Sequence, residues 1–269
     1  MSSVAAGLPR FLAAAGRFDD AAEQATMDAL VEWVGDRYRD ELKARPSKHV
    51  YVRSLPGAVV EQIDRLRDSP TIRDAIERQL PADTGITPMK HTDELYISHY
   101  NKDHGGDQGL FDKHYDGNLR FLPFGGVVRA LIYLKSDATY TVVFGDSGLR
   151  KAFATYDFGL LDFHRELHWV EGEYAAADGH RILLKCNYLV APRDAALAAR
   201  ALLAANTGVF YVVKSAMEYS KSPRTPAQVF VGALSNLFRL LNNVHPLLPL
   251  ALVLLALVAA GWAALRLVS

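Results

Sequence analysis

Between residues 92 and 191 the chain runs as short β-prone segments parted by polar or glycine-containing turns, and that spacing constrains its fold more than any other feature. Leu95-Tyr96-Ile97-Ser98-His99-Tyr100-Asn101 alternates like a strand, while Gly126 to Leu134 and Arg181 to Leu189 are rich in β-branched, aromatic and aliphatic residues. Turn signals stand between such runs at Gly105-Gly106, at Gly145-Asp146-Ser147-Gly148 and at Ala177-Asp178-Gly179. The pattern predicts an antiparallel sandwich or jelly roll, mainly β, with helices only on its flanks.

The upstream flank carries those helices. Met1 to Gly16 is Ala-rich with Arg10 in its middle; it lacks the basic-then-apolar layout of a signal peptide and reads as a frayed first helix, with an organelle-targeting peptide as the alternative. From Phe18 to Lys43, Ala22, Met27, Leu30, Val31, Val34, Tyr38 and Leu42 recur at helical spacing, with Asp19 and Asp20 suited to its start and Pro46 to its stop. Val50 to Leu55 reads as a strand, Val59 to Leu80 as helices broken near Pro70, and Pro81 to Lys90 as a loop. Residues 1–90 are thus expected to be a helical buttress for a β core spanning 91–213.

After Pro192 the character changes. Asp194 to Asn206 is an Ala/Leu-rich helix, Gly208 to Val213 a last strand, and residues 214–245 a basic linker followed by an amphipathic helix with Phe230, Leu234, Leu237, Phe238 and Leu241 on one face. From Leu247 to Val268 the run is apolar apart from Arg266, matching the roughly 20 residues needed to cross a bilayer. Residues 246–269 are therefore expected to be a single C-terminal transmembrane anchor. Lys214, Lys221 and Arg224 upstream place the preceding domain on the cytosolic side. A hydrophobic core helix, or a hairpin partner for the helix at 227–244, is the alternative.

Formal net charge is +0, which gives no basis for bulk electrostatic binding, and no nucleic-acid partner is expected. One cysteine, Cys186, excludes an internal disulfide and sits in an apolar run as a small hydrophobe.

The chemistry centres on His114-Tyr115-Asp116. On an extended strand the side chains at i and i+2 share a face, so His114 and Asp116 converge on one point. A further histidine would complete two imidazoles and a carboxylate, the facial set that leaves open positions on a non-haem Fe(II). His164 and His168 both compete for that place, and both share a face if their stretch is one strand. Taken alone, His-x-Asp also occurs as a solvent-facing pair at a strand end. Asp103, His104 and Asp107 read as a substrate-facing loop, and Arg129 as the partner of a core carboxylate or a pocket wall.

The order Tyr100, glycine turn, Phe111, His114-x-Asp116, the strand ending Tyr133-Leu134, His168 and Arg181 resembles the Fe(II)/2-oxoglutarate-dependent dioxygenases, in their prolyl 4-hydroxylase-like form, over about residues 94–191. The resemblance implies a double-stranded β-helix with His114, Asp116 and His168 as iron ligands. It implies Arg181 and Tyr100 as holders of the co-substrate 2-oxoglutarate, with O₂ consumed and succinate and CO₂ released. His168 fits better than His164 by its spacing to Arg181 and by the Trp169-Val170 that follows it. Leu183 departs from the Ser or Thr the family often has two residues after the arginine.

The function expected is hydroxylation of a protein side chain or a lipid-like small molecule by a membrane-anchored enzyme. A catalytically silent jelly-roll adaptor on a membrane is the alternative, and zinc-dependent hydrolysis a third reading.

Overall fold

The computed structural model describes residues 11–43, 47–98, 111–116, 125–136, 140–172, 180–201, 203–204, 207 and 224–233. In chain order these form β1 (Ala14–Arg17), α1 (Ala21–Lys43), β2 (Ser47–Tyr51), α2 (Gly57–Arg67), α3 (Pro70–Glu77), β3 (Thr84–Pro88), β4 (Glu94–Ser98) and β5 (Gly126–Lys135). There follow β6 (Thr141–Phe144), β7 (Leu149–Lys151), β8 (Asp157–Asp162), β9 (His168–Glu171) and β10 (Arg181–Pro192).

Two antiparallel sheets result. The larger has seven strands in the order β1-β8-β5-β10-β4-β2, with β3 pairing the far half of β10; the smaller is β7-β6-β9. His114 adds to the small sheet through a bridge to His168. From β4 onward the chain alternates between the sheets: β4 large, His114 small, β5 large, β6 and β7 small, β8 large, β9 small, β10 large. Eight segments wound in this way are a jelly roll, as expected.

The large sheet is buried on both faces, so its strands read as continuous apolar runs rather than as alternation. On β10, Ile182, Leu184, Cys186, Tyr188 and Val190 join the core shared with Met27, Leu30 and Val34 of α1 and Ile63 and Leu66 of α2. Leu183, one step out of phase, packs instead with Tyr96, Leu131, Tyr133, Phe144 and Leu161 between the sheets. The helices begin where capping chemistry allows. The Asp20 carboxylate accepts the backbone N–H groups of Ala22 and Glu23 at 2.8 and 2.9 Å, and Ser69 caps α3 with Pro70 in its first turn.

Two upstream expectations are corrected. Residues 14–16, read as the end of a frayed helix, form β1 with Arg17 on the edge of β8. Backbone pairing overrides alanine's helix preference here, and a Cβ on Gly16 would lie 2.3 Å from the Phe158 ring. Residues 84–88, read as a loop, form β3, because β10 extends past the end of β4 and leaves ladder groups for another strand to meet. With β2 included, the first 90 residues contribute three strands to the sheet as well as its helical cover.

Residues 226–233 form a helix described here by itself. Thr225 and Gln228 exchange backbone and side-chain hydrogen bonds in a capping box, and Val229 and Phe230 are exposed. Among the described residues no helix is long and apolar enough to cross a membrane. The expected span 247–268, the strand at 208–213, the turn at 177–179, Tyr100, and Asp103, His104 and Asp107 lie outside the described residues.

Candidate metal centre

His114 and His168 meet because their backbones form a bridge. His114 N–H donates to the His168 carbonyl at 3.1 Å and His168 N–H donates back at 3.0 Å. Directly opposed residues of an antiparallel pair project to the same side. The two imidazoles therefore stand side by side, with ring centroids 4.4 Å apart. Asp116, two residues along, turns its carboxylate between them: Oδ1 lies 3.8 Å from His114 Nε2 and Oδ2 lies 3.6 Å from His168 Nε2. One ligand atom from each of the three falls within 4.8 Å of the others.

The backbone also fixes the tautomers. His114 Nδ1 sits 2.7 Å from the Asp112 carbonyl and His168 Nδ1 3.2 Å from the Glu166 carbonyl. A carbonyl only accepts, so each Nδ1 carries a proton, and in the neutral ring the Nε2 lone pair then lies on the cluster side. Burial lowers the pKa of His168 despite the opposing pull of Asp116, which favours the neutral ring. For Asp116, burial pushes the carboxyl up, but Arg129 foremost, with His168, Lys185 and His114, outweighs it and holds the group ionised, well below the usual carboxylate range. Two imidazoles and one carboxylate are a donor set that could hold a divalent first-row metal.

His164 is elsewhere. The stretch from 160 to 170 is not one strand: β8 ends at Asp162, and a turn carries the chain to the small sheet before β9 begins at His168. Asp162 Oδ1 accepts the N–H groups of His164 and Arg165 at 3.1 and 3.0 Å, which shapes that turn. His164 is buried against Phe163, with its pKa drawn down to about 4 chiefly by burial. Buried Glu166 then braces the approach to His168. Its carboxylate accepts the N–H groups of Asp146 and Ser147 at 3.0 and 3.1 Å and the Ser147 hydroxyl at 2.6 Å.

Arg181 opens β10 and lines the same cleft as the three-residue cluster, together with Tyr96, Leu131, Trp169 and Lys185. Counted out into open solvent, the space between these side chains is about 410 Å³. Arg181 is 4% exposed, and its Nε and Nη1 have no hydrogen-bond partner among the described residues. Its guanidinium lies 5.4 Å from the ring centroid of Tyr133 and 5.3 Å from that of Tyr140. Buried guanidinium N–H groups are almost always satisfied, and a carboxylate or other anion is the kind of partner this planar fork suits.

Sequence reasoning missed two neighbours of this recess. Ser98 is the register partner of Arg181 and therefore shares its face; its buried hydroxyl has no partner among the described residues. Tyr133 is the register partner of Leu183, and burial raises its phenol pKa, keeping it a neutral donor. Both were legible as strand residues, but their facing depends on strand register, which a single sequence does not carry. Arg129 was anticipated as the partner of a carboxylate, and the structure identifies that carboxylate as Asp116, 2.8 Å from Nη1 to Oδ2.

No family model matches the chain, and no curated protein matches it. Solved structures do. The chain is similar to the non-haem α-ketoglutarate-dependent epimerase SnoN of nogalamycin biosynthesis, at 17% identity and TM-score 0.46, over 68% of this chain and 81% of that one. It is similar to a prolyl hydroxylase of Trichoplax adhaerens solved with a peptide of the hypoxia inducible factor oxygen degradation domain, at 14% identity and TM-score 0.43, over 71% and 86%. It is also similar to HygX of Streptomyces hygroscopicus, solved with nickel and 2-oxoglutarate bound, at 14% identity and TM-score 0.38, over 66% and 82%.

Proposed function

We propose that the chain is an Fe(II)- and 2-oxoglutarate-dependent dioxygenase, tethered to a membrane by residues 247–268, that hydroxylates a protein side chain or a lipid-like small molecule. The observation that carries this reading is one cleft with two receptors. At one lie His114, Asp116 and His168, both imidazoles in the tautomer a metal needs; at the other lies Arg181, buried with two N–H donors uncommitted among the described residues.

In this reading His114, Asp116 and His168 hold Fe(II). Arg181 receives the distal carboxylate of 2-oxoglutarate through its planar fork, with Ser98 and Tyr133 as hydroxyl donors beside it. Bound iron supplies the redox chemistry that couples O₂ to the loss of CO₂ from the co-substrate, which leaves as succinate while the substrate gains a hydroxyl. The chain's own residues bind and orient. Each Nδ1–H donates to a backbone carbonyl, Arg181 fixes the far end of the co-substrate, and Leu131, Val142 and Leu183 line the cleft with apolar surface that excludes water. Trp169 and Val170 border the same cleft and offer an apolar surface to a substrate. Neither a silent adaptor nor a zinc hydrolase has a use for a buried arginine without a counter-ion among the described residues. The tether rests on the apolar run 247–268, on Trp262 and Arg266 as interfacial anchors, and on the basic residues upstream.

The test is to load the 269-residue chain with Fe(II) anaerobically and add 2-oxoglutarate. A metal-to-ligand charge-transfer band is expected, lost in His168→Ala and kept in His164→Ala. Iron bound with no band on adding co-substrate sinks the oxygenase reading, and a band that disappears only in His164→Ala sinks the ligand assignment. Partition of the chain into vesicles, abolished by deletion of residues 246–269, tests the tether.

A further inference from the structure

Asp116 is the one member of the cluster whose second oxygen is already engaged. Arg129 Nη1 donates to Asp116 Oδ2 at 2.8 Å, while Arg129 Nε donates to Asn187 Oδ1 at 2.9 Å. Asn187 is held in turn: its Nδ2 donates to Thr92 Oγ1 at 2.8 Å, and the Thr92 hydroxyl donates to the Met89 carbonyl at 2.7 Å. Its backbone carbonyl also accepts the Met89 N–H at 2.8 Å. The Phe163 ring lies 4.3 Å from the guanidinium carbon of Arg129 and closes its flat side. Arg129 is on β5 and Asn187 on β10, and the two are register partners, so one face of the large sheet presents the fork to a carboxylate carried in from the small sheet.

We propose that Arg129 is a positioning residue for the metal centre. It occupies Oδ2 of Asp116 so that the carboxylate offers a metal Oδ1 alone, and Asn187 and Thr92 set the angle of the fork. The inference rests on His114, Asp116 and His168 being metal ligands. A guanidinium on Oδ2 draws density from that oxygen and fixes the carboxylate's angle, which disfavours chelation through both oxygens and favours binding through Oδ1. The assignment uses two features that only arginine combines, a planar fork and two donors pointing at different partners. Lysine at this position would keep the charge and lose the second contact. The two roles a cation could have here differ in sign. A guanidinium acting only as a charge repels the metal, so its removal tightens binding. A guanidinium that orients the ligand strengthens binding, so its removal loosens it.

The experiment is a Co(II) titration of the metal-free 269-residue chain, reading the d–d absorption envelope and the Kd by competition with a chelator. Arg129→Met is expected to raise the Kd by about 10- to 100-fold, the usual effect of losing a partner that orients a ligand, and to change the envelope as the freed carboxylate alters its denticity. Arg129→Lys is expected to behave like Arg129→Met. Asn187→Ala, which leaves the charge in place and unseats the fork, is expected to move Kd and envelope the same way by a smaller factor; it carries the test if Arg129→Met does not fold, as judged by circular dichroism. Tighter binding in Arg129→Met, rescue by Arg129→Lys, or an unchanged envelope in folded Asn187→Ala overturns the proposal. A wild-type chain that takes up no Co(II), or a His114→Ala variant that binds as wild type does, overturns the metal reading itself. That result is distinct from failure in the Arg129 and Asn187 variants alone.

Discussion

Two fully buried arginines face opposite sides of the large sheet and have opposite company. Arg67, on the helical side, is 1% exposed and surrounded by carboxylates: Nη1 lies 2.8 Å from Asp93 Oδ2, and Nη2 lies 2.5 Å from Asp64 and 3.1 Å from Asp68. Its own carbonyl accepts the Tyr188 hydroxyl at 2.7 Å. Arg181, on the cleft side, is 4% exposed and has tyrosine rings around it but no carboxylate among the described residues. A buried cation whose partners are all present belongs to the fold. One whose donors have no partner among the described residues spends stability and leaves those donors open to an anion.

The comparison breaks most directly through the two arginines themselves. Arg67→Met strands Asp93, itself fully buried, and is expected to cost about 3–5 kcal/mol, the usual penalty for removing one partner of a buried pair. Arg181→Met removes two unbonded donors that cost roughly 1–3 kcal/mol each and forfeits cation–π contacts of about 0.5–2 kcal/mol. That variant should be at least as stable as wild type in urea unfolding, while losing the charge-transfer response to 2-oxoglutarate. A destabilised Arg181→Met would make Arg181 a structural residue like Arg67 and remove the ground for an anion in the cleft.

The next largest effect comes from Glu94, which faces the cleft beside Lys185 and His49 at 3.1 and 2.9 Å. Burial pushes its carboxyl up, but Lys185 foremost, with His49 and Arg129, brings it from 4.5 down to about 2. A depressed carboxylate contributes stability that is fully present above the unfolded value and fades as pH falls toward the folded one. The window is therefore about pH 4.5 to 2, and at ~1.4 kcal/mol per unit the contribution is about 3 kcal/mol. Glu94→Gln should flatten that limb of a stability–pH profile. An unaltered limb would assign the acid sensitivity to other carboxylates.

The same division explains what could be read in advance. The jelly roll was legible because turns recur between β-prone runs, and α1 because Met27, Leu30, Val34 and Tyr38 fall on one helical face. Residues 14–17 and 84–88 were not, because their strand state comes from exposed ladder groups on β8 and β10, not from their own composition. At the site, His114 and Asp116 were legible from the period of a strand. The choice between His164 and His168 was not legible from parity, since it turns on the backbone bridge between residues 114 and 168. Ser98, Tyr133 and the link from Arg129 to Asp116 are properties of register and of how the sheets face each other, and a single chain of letters specifies neither.

Adjacent leucines on β10 give the finest test of the two faces. Leu184 is 0% exposed in the core beneath α1 and α2, where the neighbours are apolar, close-packed and anchored in helices and strands. Leu183 is 1% exposed yet lines the open cleft. Truncation to alanine removes the same atoms in both cases, and in a closed core it costs about 2–5 kcal/mol depending on the cavity that remains. Leu184→Ala leaves an enclosed void among rigid neighbours and belongs near the top of that range. Leu183→Ala enlarges a space that already opens outward, so little enclosed cavity is created and the loss is mainly the transfer of the side chain. Its cost should be smaller by about 1–2 kcal/mol in urea unfolding. Equal costs would mean that the space between the sheets is as closed as the space beneath the helices, and a cleft so closed would have no room for a co-substrate beside Arg181.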